Sequence, residues 1–161
     1  MDARRLAELM DAHAPALVLF ARQWCSAPED AVQDAFCKLA TLGAEPGDAL
    51  AWIYRVVRNR AIDTGRSERR RQRRETIAAR PVRWFVEPAI DGLDAEVAVA
   101  ALESLPTGQR EVIVARLWGG MTFEQIGAVT RCSASSAHRR FESGLALLRE
   151  RLGTPCPKTQ P

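Results

Sequence analysis

Two groups of side chains in this sequence have the chemistry to bind a polyanion. The first is a run from Arg55 to Arg74 in which nine arginines stand against only Asp63 and Glu68, a local charge of +7 in a chain of net charge +3. The guanidinium group is a planar fork of N–H donors that fits phosphate and guanine edges. Because the other residues together carry −4, the chain is polarised, which favours a polyanion at this run. A solvated arginine face is the alternative interpretation.

The second group lies in the first turns of a helix predicted to begin after Ser133. Its exposed positions are Ser135, Ser136, His138, Arg139, Arg140, Glu142 and Ser143. In a DNA major groove, an arginine can form a bidentate contact with guanine and a glutamate can accept a hydrogen bond from cytosine N4, while serines and first-turn N–H groups suit phosphate. These residue types therefore indicate sequence-specific DNA binding.

A helix-turn-helix pattern positions this second group. Thr122 and Gln125 have the spacing of a capping box for a short helix, a tight turn follows at residues 130–132, and Ser133 begins the longer helix. Arg131 occupies a turn position where glycine is usual, so we expect a non-glycine residue with positive φ there, at a cost of about 1 kcal/mol. A plain three-helix bundle, or a helix-turn-helix used for protein contact, is the alternative.

Apolar spacing predicts helices in the N-terminal part of the chain as well. One is expected over residues 3–12 and another over residues 15–25, with Pro15 at the joint. The S-x-x-E form of residues 26–29 predicts a capping box for the next helix. Asp48 is expected to cap the helix that carries the arginine run, which continues beyond Gly65 or frays there.

The helix after Ser26 has an acidic outer side opposite an apolar stripe. The outer residues are Glu29, Asp30, Gln33, Asp34 and Lys38. A helix dipole explains acidic residues in the first turn but not Asp34. The pattern is consistent with an acidic docking face or with ordinary solvated surface.

The second half of the chain is predicted to contain another helical module. Leu102 and Leu105 are expected to be apolar contacts, with Thr107 as the cap of the following helix. In that helix Val112, Ile113, Ala115 and Leu117 are expected to be mostly buried, and Gly119-Gly120 is expected to end it.

The fold class is therefore all-α, with two small helical domains joined by a flexible linker. The predicted domains are residues 1–74 and the helix-turn-helix domain at 96–153, with the linker at 75–95 and a disordered tail at 154–161. The linker contains an isolated apolar run, Val82 to Val86, which caps a domain core or binds a partner.

Enzymatic, metal-binding and membrane-spanning classes find little support. The four cysteines form no C-x-x-C pair, and His13 and His138 fall in different modules. The longest apolar run, Ala14 to Ala21, is far below the roughly 20 residues of a membrane span. We expect no enzyme activity, no cofactor, no metal and no membrane insertion, and a cytoplasmic location because the cysteines are scattered and no signal peptide is evident.

Three segments in order resemble the extracytoplasmic-function sigma factors, the two-domain initiation subunits of bacterial RNA polymerase. They are EDAVQDAFCKL (29–39), AWIYRVVRNRAID (51–63) and SLPTGQREVIVARLWGGMTFEQIGAVTRCSASSAHRRFESGLALLRERL (104–152). The resemblance implies a region-two domain, a linker and a region-four helix-turn-helix domain. It also implies core RNA polymerase and promoter DNA as partners, and an anti-sigma factor or other inhibitor.

The resemblance assigns roles to particular residues. Asp30, Gln33, Asp34 and Lys38 would meet the clamp helices of the largest polymerase subunit. Trp52, Arg55, Arg58 and Asn59, with the loop at residues 42–48, would meet the minus-ten element. The positive charge of the run itself predicts sequence-independent phosphate contacts there by Arg66, Arg69 and Arg70. His138, Arg139, Glu142 and Ser143 match the positions that read the minus-thirty-five element. Trp84 and Phe85 would lie in the RNA exit path.

Two departures from the family pattern bear on promoter choice. The loop at 42–48 lacks the aromatic and basic residues often found there, and Glu142 and Ser143 stand where bulky or basic residues are frequent. Two other functions remain open: a stand-alone helix-turn-helix regulator whose N-terminal module dimerises or senses a ligand, and a protein-interaction adaptor such as a sigma antagonist.

Overall fold

The computed structural model describes residues 2–75 and 100–153, and in this part of the chain all regular structure is helical. The helices are α1 (Ala3–Ala21), α2 (Pro28–Thr41), α3 (Ala49–Glu75), α4 (Thr107–Leu117), α5 (Phe123–Thr130) and α6 (Ala134–Arg151), and residues 100–103 are also helical. The predicted all-α fold with two helical domains is confirmed. Most of the expected linker, including Val82 to Val86, and the expected tail lie outside the described residues.

The first module is the packing of α1, α2 and α3 against one another. Its core contains Leu17, Phe20, Leu39 and Ile53, all with no exposed surface. The Phe20 ring meets the Tyr54 ring edge-on, with centroids 5.0 Å apart. Three helices therefore share one apolar interior, which holds the outer faces of α2 and α3 in place.

The prediction of two short N-terminal helices is wrong, because α1 is continuous through Pro15. Proline removes one backbone donor and interrupts one intrahelical hydrogen bond. Pro15 is exposed, so solvent can reach the carbonyl that loses its partner. The buried side chains that follow, Leu17 and Phe20, pack against the other helices and hold the helix together across this position.

The predicted capping box at residues 26–29 is also wrong. Helix α2 begins at Pro28, and its cap, Ala27, makes no side-chain capping bond within the described residues. The Ser26 backbone N–H instead donates to the Glu68 carboxylate at 3.2 Å, and the Ser26 hydroxyl donates to the same group. Proline at the first helical position is preorganised for a helix start, which leaves Ser26 to join α2 to α3.

Helix α3 is one long helix that continues past Gly65 to Glu75. The predicted cap is confirmed, since Asp48 Oδ1 accepts a hydrogen bond from the Ala51 N–H at 2.9 Å. Gly65 does not break the helix. It lets α3 approach the chain after α1, because a Cβ at this position would lie 1.9 Å from the Trp24 carbonyl oxygen.

The second module is formed by α4, α5 and α6. Leu102 and Leu105 are buried beside Ile113, as expected. Thr107 is the first residue of α4 rather than its cap, and the capping residue, Pro106, contributes no side-chain bond in the part of the chain described. Val112, Ile113 and Ala115 are buried as predicted, but Leu117 is 56% exposed because it lies at the last turn, where α4 leaves its neighbours.

The two modules pack together through α1 with α4 and through α3 with α5. One continuous apolar cluster includes Phe20 and Tyr54 from the first module and Val112, Met121 and Ile126 from the second. The sequence predicted the two modules but not their mutual packing.

We expect Gly65→Ala to lower the free energy of unfolding by about 3 kcal/mol, because the added methyl group must displace the Trp24 carbonyl. Gly108→Ala is the matched control, since this glycine is also helical and its Cβ would have only Arg140 Nη1, 4.0 Å away, as a neighbour. The control should be neutral or stabilising by up to about 1 kcal/mol. Urea unfolding measures both, and equal stability of the two variants would contradict the proposed close contact.

Candidate nucleic-acid and polymerase interfaces

Helices α5 and α6 form the helix-turn-helix, and their side-chain caps are those expected. Thr122 Oγ1 accepts from the Gln125 N–H at 3.2 Å, and Gln125 Oε1 accepts from the Thr122 N–H at 2.9 Å. At the start of α6, Ser133 Oγ accepts from the Ser136 N–H at 3.1 Å. The predicted capping box and cap are therefore confirmed, and together they define where each helix begins.

The turn between α5 and α6 requires a left-handed residue. Arg131 has φ 58° and ψ 47°, which confirms the predicted positive φ. The Cys132 N–H then donates back to the Gly127 carbonyl at 3.0 Å. Gly127 is needed for the close approach, since a Cβ there would lie 2.6 Å from the Cys132 carbonyl oxygen.

The residues expected to read the upstream element lie in the first three turns of α6. Ser135, His138, Arg139, Arg140, Glu142 and Ser143 are exposed, and Ser136 is half-buried. Arg139 Nη2 donates to Ser136 Oγ at 3.3 Å, and Ser143 Oγ accepts from Gln109 Nε2 at 3.0 Å. These seven residues form the α6 face, which spans about 200° of the helix circumference.

Within that face, His138 is held by two neighbours. Its ring packs edge-on against Phe123, with centroids 4.9 Å apart, and its Nε2 lies 3.9 Å from Glu142 Oε1. His138 and Glu142 are therefore neighbours on the surface of α6, at a separation longer than a hydrogen bond.

All arginines of the run except Arg58 are exposed on α3. Arg55, Asn59, Arg66, Arg69 and Arg70 are exposed. Three of them make local contacts: Arg66 with Asp63 at 3.7 Å, Arg69 with the Gly65 carbonyl at 3.0 Å and Arg70 with Ser67 Oγ at 3.0 Å. Exposed ion pairs such as the one between Arg66 and Asp63 contribute little to stability, and the hydrogen bonds of Arg69 and Arg70 are local to the helix, so all three side chains can exchange these partners for phosphate.

Arg58 and Trp52 are placed differently from the other expected minus-ten residues. Trp52 is half-buried against the shared core. The Arg58 side chain is only 21% exposed and forms an ion pair with Glu111 of α4, while its guanidinium carbon lies 5.7 Å from the centre of the Trp24 ring. Arg58 therefore contacts α4, whereas Arg66, Arg69 and Arg70 later in the same helix are exposed.

Glu111 was missed by the sequence interpretation. It is 3% exposed, and it is the buried charged residue of the described chain. The available signal was its spacing: Glu111 precedes Ala115 by four residues, which places both on the same side of a helix. A carboxylate on the same side of the helix as a buried alanine is itself expected to be buried. Because buried charges are paired, this spacing predicts a cationic partner from another helix.

The acidic outer side of α2 remains partly free. Asp30, Gln33 and Lys38 are exposed, whereas Asp34 Oδ2 lies 2.8 Å from Arg60 Nε of α3. Glu29 pairs with Arg22 at 3.1 Å; a hydrogen bond from its own backbone N–H and the Arg22 contact lower the pKa of Glu29. The expected docking residues thus form one surface, on which Asp34 already has a partner.

Residues 2–75 and 100–153 contain neither a candidate membrane span nor a candidate metal-ligand cluster. No helix there combines the length and apolar character needed to cross a bilayer. Nor does any group of three or more His, Cys, Asp or Glu side chains come together as a candidate metal site within these residues.

Comparison with known proteins identifies the family. The profile for sigma-70 region 2 matches residues 9–74, and the profile for sigma-70 region 4 matches residues 96–148. The extracytoplasmic-function (ECF) RNA polymerase sigma factor SigK of Mycolicibacterium vanbaalenii is 28% identical over 137 residues, which cover 78% of this chain and 68% of that protein. The chain is an extracytoplasmic-function sigma factor. Helices α1 to α3 are its region two, and α4 to α6 its region four.

Other relatives agree with this assignment. The probable RNA polymerase sigma factor RfaY of Xanthomonas campestris is 29% identical over 138 residues, 79% of this sigma factor and 34% of RfaY. The sigma factor RpoE of Bartonella quintana, solved in complex with the anti-sigma factor NepR, superposes with a TM-score of 0.70 at 28% identity, covering 93% and 97% of the two chains. CnrH, solved with the cytosolic domain of CnrY, has a TM-score of 0.60 at 23% identity, covers 96% and 92% of the two chains, and shows the fold alone.

We expect Arg131→Gly to stabilise this sigma factor by about 0.5 kcal/mol, because relief of the left-handed strain exceeds the backbone entropy that glycine adds to the unfolded chain. Ala128→Gly is the matched control, at an exposed position inside α5, and should destabilise by about 1 kcal/mol. Thermal unfolding monitored by circular dichroism measures both changes. A loss of stability in Arg131→Gly would show that the Arg131 side chain itself stabilises the turn.

Proposed function

We propose that this sigma factor binds core RNA polymerase through the outer side of α2 and contacts promoter DNA through α3 and α6. The family assignment already makes it a promoter-recognising subunit of RNA polymerase. The observation that carries the residue-level proposal is the presence of two separate DNA-type faces on one chain: the polar face of α6 and the exposed arginines of α3. Two faces suit two promoter elements.

The α6 face supports recognition of the minus-thirty-five element. Arg139 and Arg140 are exposed in the second turn of the helix, where side chains reach base edges when the helix enters a major groove. Arginine forms a bidentate contact with guanine O6 and N7. Ser135 and Ser136 lie in the first turn, where hydroxyls and backbone N–H groups suit phosphate. His138, Glu142 and Ser143 complete this proposed surface.

The α3 surface supports contact with the minus-ten element. Arg55 and Asn59 are exposed on the N-terminal half of α3. Their N–H groups can donate hydrogen bonds to DNA bases or to the phosphate backbone. Trp52 and Arg58 complete the proposed site on this half of the helix. The C-terminal half of α3 carries Arg66, Arg69 and Arg70, whose positive charge attracts phosphate whatever the DNA sequence.

The α2 surface supports binding to the clamp helices of the largest polymerase subunit. Asp30 and Gln33 are exposed at adjacent turns, and Lys38 lies further along the same helix. Asp34 belongs to the same surface, but it already forms an ion pair with Arg60 of α3. A substitution of Asp34 would therefore also change a contact within the protein. Asp30 is therefore the better position for a test.

The remaining partner is proposed from relatives. RpoE was solved with the anti-sigma factor NepR and CnrH with the cytosolic domain of CnrY, which favours an anti-sigma factor or another protein inhibitor for this chain. We further propose a cytoplasmic location, where core polymerase is found, and a role as a binding factor with neither enzymatic activity nor a cofactor.

We expect Arg139→Ala to weaken binding of the polymerase holoenzyme to its preferred upstream element by about 1–3 kcal/mol, and to relax selectivity at one base position. The measurement is holoenzyme affinity for duplexes in which each upstream base is varied in turn. Arg149→Ala, at an exposed position in the last turn of α6, is the control and should leave selectivity unchanged. Equal weakening of Arg139→Ala on every sequence would make Arg139 a phosphate contact.

Transcription by core polymerase on a library of genomic fragments tests the proposed function directly. Wild-type protein should produce start sites that core enzyme alone does not. Asp30→Lys should reduce co-purification with core enzyme and the yield of these transcripts by at least about tenfold, since like charges across an interface cost several kcal/mol. Asp11→Lys, at an exposed position of α1, is the charge-matched control. Palindromic footprints made without core enzyme would instead favour a stand-alone regulator.

A further inference from the structure

Phe123, the first residue of α5, contacts both the core of region four and the α6 face. Its ring meets the ring of Phe141 edge-on, with centroids 5.6 Å apart, and Phe141 packs against the buried core. The Phe123 ring also meets the His138 ring edge-on, at 4.9 Å and an interplanar angle of 84°. Phe123 is half-buried, and it therefore links the core to an exposed residue of the proposed DNA surface.

Arg116 of α4 holds Phe123 from another direction. Its guanidinium carbon lies 4.9 Å from the centre of the Phe123 ring, a distance at which the cation is attracted to the ring electrons. Arg116 Nη1 also donates to the Met121 carbonyl at 2.7 Å, which limits the movement of the guanidinium. Arg116, Phe123 and His138 thus form a row of contacts that spans α4, α5 and α6.

The contact with Phe123 gives an exposed histidine a preferred conformation. The His138 side chain is 56% exposed, and exposed side chains ordinarily sample several staggered rotamers. An edge-on aromatic contact favours one of them by about two- to tenfold. In the observed conformation Nε2 lies on the side of Glu142, 3.9 Å from Oε1. A residue of α5 therefore sets the direction in which a ring nitrogen of α6 points.

We propose that Phe123 is a positioning residue for promoter recognition, which holds His138 in the conformation that reads one base pair of the minus-thirty-five element. This role rests on the proposed recognition of that element by the α6 face. When only a fraction of the molecules has the binding conformation, the apparent affinity falls by that fraction. Release of His138 from Phe123 therefore weakens discrimination at the base pair that His138 contacts. Phe123 determines specificity through His138, from the helix that precedes the reading helix.

A role for Phe123 in core packing alone predicts a different result. Loss of apolar packing would lower the stability of region four and weaken binding to every DNA sequence alike. A positioning role predicts a loss of discrimination at one base pair only. Selectivity, rather than total affinity, therefore separates the two roles.

The first measurement tests the contact in the full chain without DNA. The protein has two histidines, His13 and His138, and an aromatic ring shifts the NMR signals of protons that lie close to it. Phe123→Leu should move the imidazole proton signals of His138, which are assigned by their loss in His138→Ala. The signals of His13 are the internal control and should stay in place. Unchanged His138 signals in Phe123→Leu would overturn the contact.

The second measurement is holoenzyme affinity for duplexes in which each upstream base pair is varied in turn. His138→Ala should remove discrimination at one position, which identifies the base pair that His138 reads. Phe123→Leu should lower discrimination at that same position by about two- to tenfold and leave the position read by Arg139 unchanged. Phe123→Tyr keeps the aromatic ring and should retain discrimination at both positions.

Ile113→Val is the control for stability. Ile113 is buried beside Leu102 and Leu105, so the loss of one methyl group destabilises region four and leaves the ring that faces His138 intact. This variant should keep discrimination at every position. Thermal unfolding by circular dichroism compares its stability with that of Phe123→Leu. An equal loss of discrimination in the two variants would reduce Phe123 to a core residue.

The outcomes separate this inference from the proposed function. Full discrimination at the His138 position in Phe123→Leu would overturn the positioning role. The same holds if His138→Ala keeps full selectivity while Arg139→Ala loses it, and in both cases recognition by the α6 face stands. If neither substitution on α6 alters selectivity, the proposed recognition by α6 fails together with the role of Phe123. A loss confined to the His138 position, and absent in Phe123→Tyr, supports Phe123 as the positioning residue.

Discussion

The burial of α4 on all sides is the constraint on which the arrangement of this sigma factor depends. Residues 111–115 are consecutive and all buried, so they point to every side of the helix. A helix buried all round needs neighbours on every side. Region four supplies one of these with α6, whose Gly144 lies so close to Ile113 that a Cβ there would be 2.7 Å from its Cδ1, and region two supplies another with α1. The two regions are thus joined by the helix that least tolerates exposure.

The ion pair at this junction contributes more to geometry than to stability. Taking Arg58 and Glu111 out of water costs several kcal/mol for each charge, and their attraction recovers little more than that cost. Removal of one partner costs more, about 3–5 kcal/mol, because the other charge is left buried. The pair therefore penalises any packing of the two regions that does not bring these residues together, and we interpret it as a determinant of their register.

The success of sequence-based prediction here depended in part on the range of the interactions. The Thr122–Gln125 box, the Ser133 cap and the positive φ of Arg131 depend on neighbours within a few residues, and all three were predicted. Two other local predictions, the capping box at residues 26–29 and the Thr107 cap, were wrong. Contacts between distant residues were not: Ser26 with Glu68 is 42 residues apart, Arg58 with Glu111 is 53, and Asp48 with Gln125 is 77. The α6 face could be predicted because helical spacing alone defines it, whereas the enclosure of Arg58 depends on tertiary packing. Contact of either face with DNA stays a prediction.

The two halves of helix α3 are used differently in this structure. The N-terminal half contributes Tyr54 to the core and Arg58 to the ion pair with Glu111, so the position of the Arg58 side chain depends on the packing of region four. The C-terminal half carries Arg66, Arg69 and Arg70 on exposed turns. Long-range attraction to phosphate acts before contact and does not require sequence. Under the proposed function, the C-terminal half therefore attracts DNA without any change in the packing of the two regions.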